Sequence, residues 1–234
     1  MSMRIALVTG ANRGLGLEFV HQLLARGDRV LAACRRPGKA SELNVLAGGH
    51  PGRLHVLPLD VANEPSRNAF EHELALVLDD ARIDLLVNNA GVLHPGERWG
   101  QVRAAVLEDS LRTNAIGPFL LTQALAPRMS DGGKVAFLSS IMGSIGTRHE
   151  FRAPSYCTSK AALDMLAVQA THALAPRGIA VAVLHPGWAQ TDMGGAGADV
   201  TARDSVAGLL RQIDDADASK PLQLRDWRGE AIAW

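Results

Sequence analysis

The chain has 234 residues, 47% of them hydrophobic, and 24 lysines and arginines balance 24 aspartates and glutamates. This balance argues against electrostatic capture of nucleic acid or of an anionic membrane, and no apolar stretch approaches the roughly eighteen residues of a membrane span. Its two cysteines, Cys34 and Cys157, form no CxxC motif, which favours a reducing cytoplasm without a disulfide framework or a metal site.

Short runs rich in Leu, Val and Ile alternate with longer helical patterns along the whole chain. This alternation is typical of βαβ units on a parallel sheet. We therefore predict one doubly wound, Rossmann-like α/β domain over residues 1–234, with strand order 3-2-1-4-5-6-7. Strands are predicted at 4–8, 29–33, 54–57, 83–87, 134–138, 179–184 and 221–224, and helices at 14–26, 64–79, 103–129, 155–174 and 203–213.

A glycine-rich turn follows the first predicted strand and leads into a helix. In this context glycines let the backbone approach a pyrophosphate, and the helix N-terminus attracts the anion. Glycines also make ordinary tight turns, but the position between strand and helix favours a nucleotide. The predicted binding residues of this turn are Gly10, Asn12, Arg13, Gly14, Leu15 and Gly16.

The end of the second predicted strand carries cations instead of an acid. A site that selects NAD would have Asp or Glu there to bind the ribose 2′-hydroxyl. Here Arg35 and Arg36 follow Cys34. Guanidinium groups suit a 2′-phosphate, and Arg13 could supply a second cation, so the sequence predicts NADP. The alternative is that Arg35 and Arg36 form a solvated turn.

Polar and small residues end the third and fourth predicted strands, at the edge where an open parallel sheet binds its ligand. Asp60, followed by Val61, could accept a hydrogen bond from the adenine amino group. Asn88 lies at the next strand end, and the small pair Ala90-Gly91 would let the backbone approach the ribose. Alternatively, Asp60 and Asn88 are simple turn residues.

Tyr156 is the only tyrosine in the chain and precedes Lys160 by four positions. Residues four apart share a helix face, so an ammonium can lie near the phenol. Two unit charges about 4 Å apart attract by roughly 4 kcal/mol at an effective dielectric near 20, or about three pKa units. This spacing predicts a tyrosine with a lowered pKa that exchanges a proton near neutral pH. The alternative is a chance pair on an amphipathic helix.

In this order, the motifs together resemble the short-chain dehydrogenase/reductase family over nearly the whole chain. They are Thr9-Gly10-xxx-Gly14-x-Gly16, Asn88-Asn89-Ala90-Gly91, Asn114, Ser140, Tyr156-xxx-Lys160 and Pro186-Gly187. The closing stretch His185 to Gly195 and the C-terminal Arg225 to Gly229 are similar to the branch that contains the myxobacterial C-factor and sniffer-type carbonyl reductases.

The resemblance implies catalytic roles. Tyr156 would be the general acid, and Lys160 would hold the ribose hydroxyls and lower the tyrosine pKa. Ser140 would bond the carbonyl oxygen, with Ser144 as a weaker candidate. Asn114 would hold a water next to Lys160, although a buried helical Asn can instead be a kink device.

The segment after the sixth strand would bind the nicotinamide end of the cofactor. The resemblance assigns Pro186, Gly187, Trp188 and Thr191 to cofactor binding, the last two near the carboxamide. The glycines that follow predict a flap at about residues 188–203 that orders over cofactor and substrate. A longer gap than the family's from Ser140 to Tyr156, filled by residues 146–152, is expected to bulge over the substrate crevice.

The sequence therefore predicts a cytoplasmic NADPH-dependent reductase of carbonyl compounds that forms a dimer or tetramer and binds no metal, nucleic acid or membrane. The same residues would run the oxidation of a secondary alcohol with NADP⁺. A third possibility is a signalling protein that binds the dinucleotide without turnover.

Overall fold

The structure, a computed structural model, describes residues 3–195 and 197–234. Ala196, within the predicted flap, lies outside the described residues, as do Met1 and Ser2. Eight strands of the described chain form one sheet in the order β3-β2-β1-β4-β5-β6-β7-β8. Their bounds are β1 Ile5–Thr9, β2 Arg29–Cys34, β3 Leu54–Pro58, β4 Ile83–Asn88, β5 Met129–Leu138, β6 Ala180–His185, β7 Leu224–Asp226 and β8 Ala231–Ile232.

The predicted parallel sheet and its order are confirmed for the first seven strands. The pairs from β1 to β7 are all parallel, and only β8 runs antiparallel, against β7. The order reverses at β1, because β2 lies on one side of it and β4 on the other. A doubly wound sheet opens its ligand crevice at the carboxyl ends of the strands at such a reversal.

Helices cover both faces of the sheet, so its strands alternate between two apolar cores. Ile5 and Leu7 belong to one core, and Ala6 and Val8 belong to the other. This explains why β1 is buried along its entire length. The helices are α1 Gly14–Ala25, α2 Ser41–Gly49, α3 Glu64–Leu78, α4 Ala104–Leu111, α5 Gly117–Leu125, α6 Pro154–Leu174 and α7 Ala202–Asp214.

The predicted helix at 103–129 is wrong as a single element. The structure has α4, a π-helical turn at Arg112–Ile116, then α5, and β5 already begins at Met129. Pro118 explains the break, because it lacks the N–H that would bond to the Asn114 carbonyl in an α-helix. The preceding residue is glycine because the chain packs closely at this point: a Cβ on Gly117 would collide with the carbonyl oxygen of Val61.

Three further elements differ from the prediction. Helix α2 was not predicted, because its sequence ends in two glycines and buries only Leu43. Strand β7 lies at Leu224–Asp226 instead of 221–224, and the two-residue β8 was not predicted. Across the described residues, no helix has the combined length and apolar character needed to cross a membrane. A cytoplasmic location stays a prediction.

Candidate active site

A crevice of about 740 Å³ opens at the carboxyl ends of the central strands, where the sheet order reverses. This volume is within the range of small-molecule sites. Predicted residues along its wall are Gly10, Asn12, Arg13, Gly14, Leu15, Gly16, Arg35, Asp60, Val61, Ala90, Gly91, Tyr156, Lys160, Pro186 and Thr191. Segments from both halves of the chain thus form one wall.

The glycine-rich turn is held close against the end of β4. Gly10 has φ 65°, and a Cβ there would lie 2.9 Å from the Cα of Ala90. The side-chain amide of Asn89 donates to the carbonyls of Thr9 at 2.9 Å and Gly10 at 3.2 Å. Glycine at this position therefore lets the turn pack directly against the chain after β4, and the free N–H groups at the start of α1 beside it favour an anion.

The side chain of Asn88 does not face the crevice as predicted, whereas its neighbour Asn89 lines the crevice. Asn88 is buried, and its amide donates to the Thr122 hydroxyl at 3.0 Å, so this side chain lies in the core instead of facing the crevice. Successive residues of a strand point to opposite sides, and Asn89 is the one that contacts the glycine-rich turn.

The crevice wall beyond β2 and β3 carries more positive charge than predicted. Arg35 and Arg36 both line it, and Lys39 joins them from the turn that follows. Asp60 lines it as well, and its carboxylate accepts a hydrogen bond from the backbone N–H of Ala62 at 3.0 Å. Cations on this wall can attract a phosphate group.

Arg13, predicted to be a second cation for that phosphate, is instead engaged with a carboxylate. Its Nη1 lies 2.9 Å from Oδ2 of Asp192, which belongs to the segment after β6. Both side chains are largely exposed, at 64% and 75%. The ion pair joins the glycine-rich turn to the segment after β6.

Tyr156 and Lys160 lie one turn apart on α6, as predicted, and both reach the crevice. The Lys160 Nζ is 5.5 Å from the centre of the Tyr156 ring and donates to the Leu138 carbonyl at 2.7 Å. A Cβ on Gly91 would lie 3.8 Å from the same Nζ, so the ammonium faces the backbone at the end of β4.

The predicted lowering of the tyrosine pKa is wrong in this structure. Burial raises the pKa of Tyr156 to about 12, and a hydrogen bond with Ser140 only partly offsets it. Burial also lowers the pKa of Lys160 to about 8. Burial disfavours a charged phenolate and a charged ammonium alike, and it is the largest cause of both shifts. The phenol is therefore protonated at neutral pH.

Ser140 is the serine beside Tyr156, as predicted from the motif. Its Oγ accepts a hydrogen bond from the backbone N–H of Met142 at 3.1 Å, which fixes the hydroxyl at the start of a short 3-10 turn. Ser144 is buried farther along, where its hydroxyl has no hydrogen-bond partner among the described residues. The structure thus favours Ser140 over Ser144.

Asn114 is completely buried in the π-helical turn. Its side-chain oxygen accepts from the N–H of Val92 at 2.7 Å, and its amide donates to the Val92 carbonyl and the Ser159 hydroxyl, both at 2.9 Å. The side chain thereby fastens the chain after β4 to α6. Asn114 thus lies at a break in the helix, as the alternative hypothesis expected. Its role in holding a water next to Lys160 stays a prediction.

Asp164 is a buried carboxyl near this site that the sequence reading missed. It follows Lys160 by one turn of α6 and is only 4% exposed. Burial raises the pKa of Asp164 to about 7, against the opposing effects of the Ser139 hydroxyl and Lys160. The i, i+4 spacing from Lys160 was a usable signal, but nothing local showed that the carboxyl is buried.

The segment after β6 is internally bonded. Gly187 has φ 75°, the Trp188 indole donates to the Gly194 carbonyl at 2.7 Å, and the N–H of Gly195 donates to the Thr191 carbonyl at 2.9 Å. Thr191 packs against Gly14, where a Cβ would lie 3.2 Å from its methyl. Gly187 and Trp188 lie outside the crevice wall itself, and Trp188 is 54% exposed.

Residues 4–214 match the family model described as short chain dehydrogenase. The chain belongs to the short-chain dehydrogenase family. The resemblance noted in the sequence is thereby confirmed, and the chain is an oxidoreductase of this family in its carbonyl reductase-like branch.

Two solved structures and one curated relative are similar to this dehydrogenase. The NADPH-bound carbonyl reductase from chicken fatty liver has a TM-score of 0.94 and 35% identity over 100% of both chains. The carbonyl reductase Sniffer of D. melanogaster has a TM-score of 0.93 and 30% identity, again over 100% of both chains. The C-signal of Myxococcus xanthus is 38% identical over 154 residues, 65% of this chain and 93% of the relative.

Residues 146–152, predicted to bulge over the substrate crevice, form a loop with contacts of its own. Its Gly146 N–H donates to the Trp234 carbonyl at 3.1 Å, and the ring of Phe151 meets Trp99 edge to face at 5.6 Å. Glu97 accepts from the backbone N–H of Ser155 at 3.2 Å and from its hydroxyl, which holds the N-terminus of α6. That the loop covers the substrate stays a prediction.

Residues from four segments thus converge on one end of the dehydrogenase. A cationic wall, the glycine-rich turn, the protonated Tyr156 phenol and the buried Lys160 line a single crevice. Ser140 lies outside the crevice wall and is hydrogen-bonded to the phenol. Among the described residues, no three His, Cys, Asp or Glu side chains are grouped to hold a metal ion. The groups that are present suit the binding of a dinucleotide and the protonation of an oxygen atom.

Proposed function

We propose that this dehydrogenase reduces an aldehyde or ketone with NADPH. The observation that carries the proposal is the Tyr156 phenol, which is protonated at neutral pH and hydrogen-bonded to Ser140. It lines the same crevice as Lys160 and the cationic wall formed by Arg35, Arg36 and Lys39. The NADPH-bound relative with 35% identity over the full chain supports the choice of cofactor.

The residues present fit a phosphorylated dinucleotide. The turn at Gly10 presents backbone to the crevice, and Arg35, Arg36 and Lys39 on the same crevice wall could bind a 2′-phosphate. Bound NADPH would supply a hydride. Lys160 would hold the ribose hydroxyls, and Thr191 would orient the carboxamide end.

The protein's part in the reaction is proton transfer and orientation. Ser140 donates a hydrogen bond to the carbonyl oxygen of the substrate and fixes it beside Tyr156. The phenol then gives its proton to this oxygen as negative charge develops there. Because burial raises the pKa of Tyr156 to about 12, the acid form is present throughout the neutral range.

The acid form of Tyr156 is the form that carbonyl reduction requires. A phenol with a pKa of about 12 is almost entirely protonated at pH 7 and can give its proton to a carbonyl oxygen there. A panel of aldehydes, ketones and secondary alcohols, followed by nicotinamide absorbance, tests the direction. Faster oxidation of every alcohol than reduction of its carbonyl partner at pH 7 would contradict the proposal.

The similarity to the C-signal of Myxococcus xanthus favours one second candidate, a dinucleotide-binding signalling protein. Such a protein needs the glycine-rich turn and the cations but not Tyr156 or Ser140. Tight NADPH binding without turnover of any carbonyl in the panel would favour this candidate.

We expect NADPH to bind more tightly than NADH by about ten- to a hundredfold, because hydrogen bonds to a charged phosphate contribute roughly 1.5–3 kcal/mol. Calorimetry measures both dissociation constants. Arg35→Ala should remove much of the difference. Arg82→Ala is the matched control, because Arg82 bonds to the Pro127 carbonyl at the opposite end of the sheet and should leave both constants unchanged. Equal constants in the parent protein would refute the preference.

We also expect a homodimer or tetramer formed by α6 and by α5 with the π-helical turn that precedes it. Ile116 and Met165 expose apolar side chains on these segments, at 44% and 60%. Light scattering should give a multimer mass, and Met165→Glu should lower it. Leu76→Glu, on α3, replaces an equally apolar side chain that is 85% exposed and should not. A monomer mass for the parent at micromolar concentration would contradict the expectation.

A further inference from the structure

The ion pair between Arg13 and Asp192 spans the dinucleotide crevice. Arg13 immediately precedes α1 in the glycine-rich turn, and Asp192 lies 179 residues later in the segment after β6. The Nη1 of Arg13 donates to Oδ2 of Asp192 at 2.9 Å, next to the contact between Thr191 and Gly14. Both charged residues line the crevice.

A carboxylate at this position is unusual for a crevice that receives phosphates. The wall carries Arg35, Arg36 and Lys39, and its other aspartate, Asp60, accepts a hydrogen bond from the backbone N–H of Ala62. Asp192 instead neutralises a cation of the crevice. With exposures of 64% and 75%, the pair is the kind of surface ion pair that contributes little stability and breaks readily when a stronger partner arrives.

A phosphate dianion is such a partner. It carries more negative charge than one carboxylate, and its oxygens match the guanidinium fork. We propose that Asp192 is a specificity-determining residue, whose carboxylate competes with the 2′-phosphate of NADPH for the Arg13 guanidinium. This inference rests on the proposed function, in which NADPH is the cofactor.

The competition has a consequence for cofactor choice. Binding of NADPH moves Arg13 from Asp192 to the phosphate, so part of the gain from the phosphate contact is offset by the lost ion pair. NADH has no 2′-phosphate and leaves the pair intact. Asp192 therefore makes the ratio of the NADH to the NADPH dissociation constant smaller than the crevice cations alone would make it.

Asp192→Asn tests this inference, since it removes the charge and keeps the shape. The dissociation constants of NADPH and NADH are measured by calorimetry in the parent, Asp192→Asn, Arg13→Ala and the double variant. We expect Asp192→Asn to lower the dissociation constant of NADPH by about two- to fivefold, the range of an exposed ion pair. The dissociation constant of NADH should change by less. In the Arg13→Ala background, Asp192→Asn should affect both cofactors by the same factor.

Asp199→Asn is the matched control, because Asp199 is an exposed aspartate of the same segment that takes no part in the pair with Arg13. It should leave the ratio of the two constants unchanged. The inference would be overturned if Asp192→Asn weakened NADPH binding or changed both dissociation constants by the same factor. It would also be overturned if Asp192→Asn changed the NADPH constant selectively in the Arg13→Ala background.

Failure of this inference differs from failure of the proposed function. A parent protein that binds NADPH and NADH equally refutes the cofactor preference itself. A parent that prefers NADPH, but whose Asp192→Asn variant keeps the same ratio of constants, refutes only the role of Asp192.

Discussion

Tyr156→Phe is expected to lower the turnover number for a carbonyl substrate by about a hundred- to ten-thousandfold, the usual contribution of general acid catalysis. The change removes one oxygen atom and keeps the ring in place on α6. The carbonyl oxygen then loses its proton donor, while Ser140 and the cations of the crevice wall remain. The measurement is the steady-state rate of NADPH oxidation with a substrate that the parent protein reduces.

Binding of NADPH should be nearly unchanged in Tyr156→Phe, which separates lost chemistry from lost structure. Cys157→Ala is the matched control, because it changes the adjacent residue of the same helical turn, whose thiol contacts only the Arg152 carbonyl in the described hydrogen bonds. This variant should keep most of the parent rate. Full reductase activity in Tyr156→Phe would show that another group protonates the substrate.

Lys160→Ala is expected to weaken NADPH binding and to lower turnover together. The Lys160 Nζ is buried, bonds to the Leu138 carbonyl and lies 5.5 Å from the centre of the Tyr156 ring. Its loss removes a cation from beside the cofactor and from beside the phenol. We expect a fall of about a hundredfold or more in kcat/KM, the lower end of the contribution of a residue that assists proton transfer.

The binding of NADPH should also depend on pH through Lys160. Burial lowers the pKa of Lys160 to about 8, with Asp164 opposing the shift, so the ammonium is present below that pH and is lost above it. The charged form attracts the anionic cofactor. The dissociation constant of NADPH should therefore rise as the pH increases through about 8, and this rise should be absent in Lys160→Ala.

Lys39→Ala is the control for the pH experiment. Lys39 also lines the crevice, so its loss should weaken NADPH binding at every pH. The rise of the dissociation constant near pH 8 should remain. A pH dependence that survives in Lys160→Ala would assign the titration to another group. The neighbouring titratable groups are Asp164, with a pKa of about 7, and Tyr156, with a pKa of about 12.

Motifs with short spacing were readable from the sequence because local geometry decides them. The turn from Gly10 to Gly16 stands between a strand and a helix, and Tyr156 and Lys160 share a helix face by spacing alone. The parallel sheet followed from the alternation of apolar runs with helical patterns, and its strand order is the usual one for a doubly wound fold. The helix break at Pro118 was also visible in principle, since the proline removes a backbone donor.

Orientation and burial required the tertiary structure. Asn88 and Asn89 are adjacent in sequence, yet only Asn89 contacts the glycine-rich turn, because the two side chains leave β4 on opposite sides. The sign of the Tyr156 pKa shift was also out of reach. It depends on how much surrounding structure excludes water from the phenol, and that structure comes from distant parts of the chain.

By itself, the sequence determined the tyrosine, lysine and glycine motifs, because each depends on residues within a few positions of one another. The order of these motifs and the alternation of strand and helix patterns along the chain determined the family and the parallel α/β sheet. Only the tertiary structure decided which charges meet. Arg13 and Asp192 are 179 residues apart, and Lys39 and Asp164 entered the site through the fold. Electrostatic energy depends on distance through space and on exclusion of water, and neither quantity is a property of spacing along the chain.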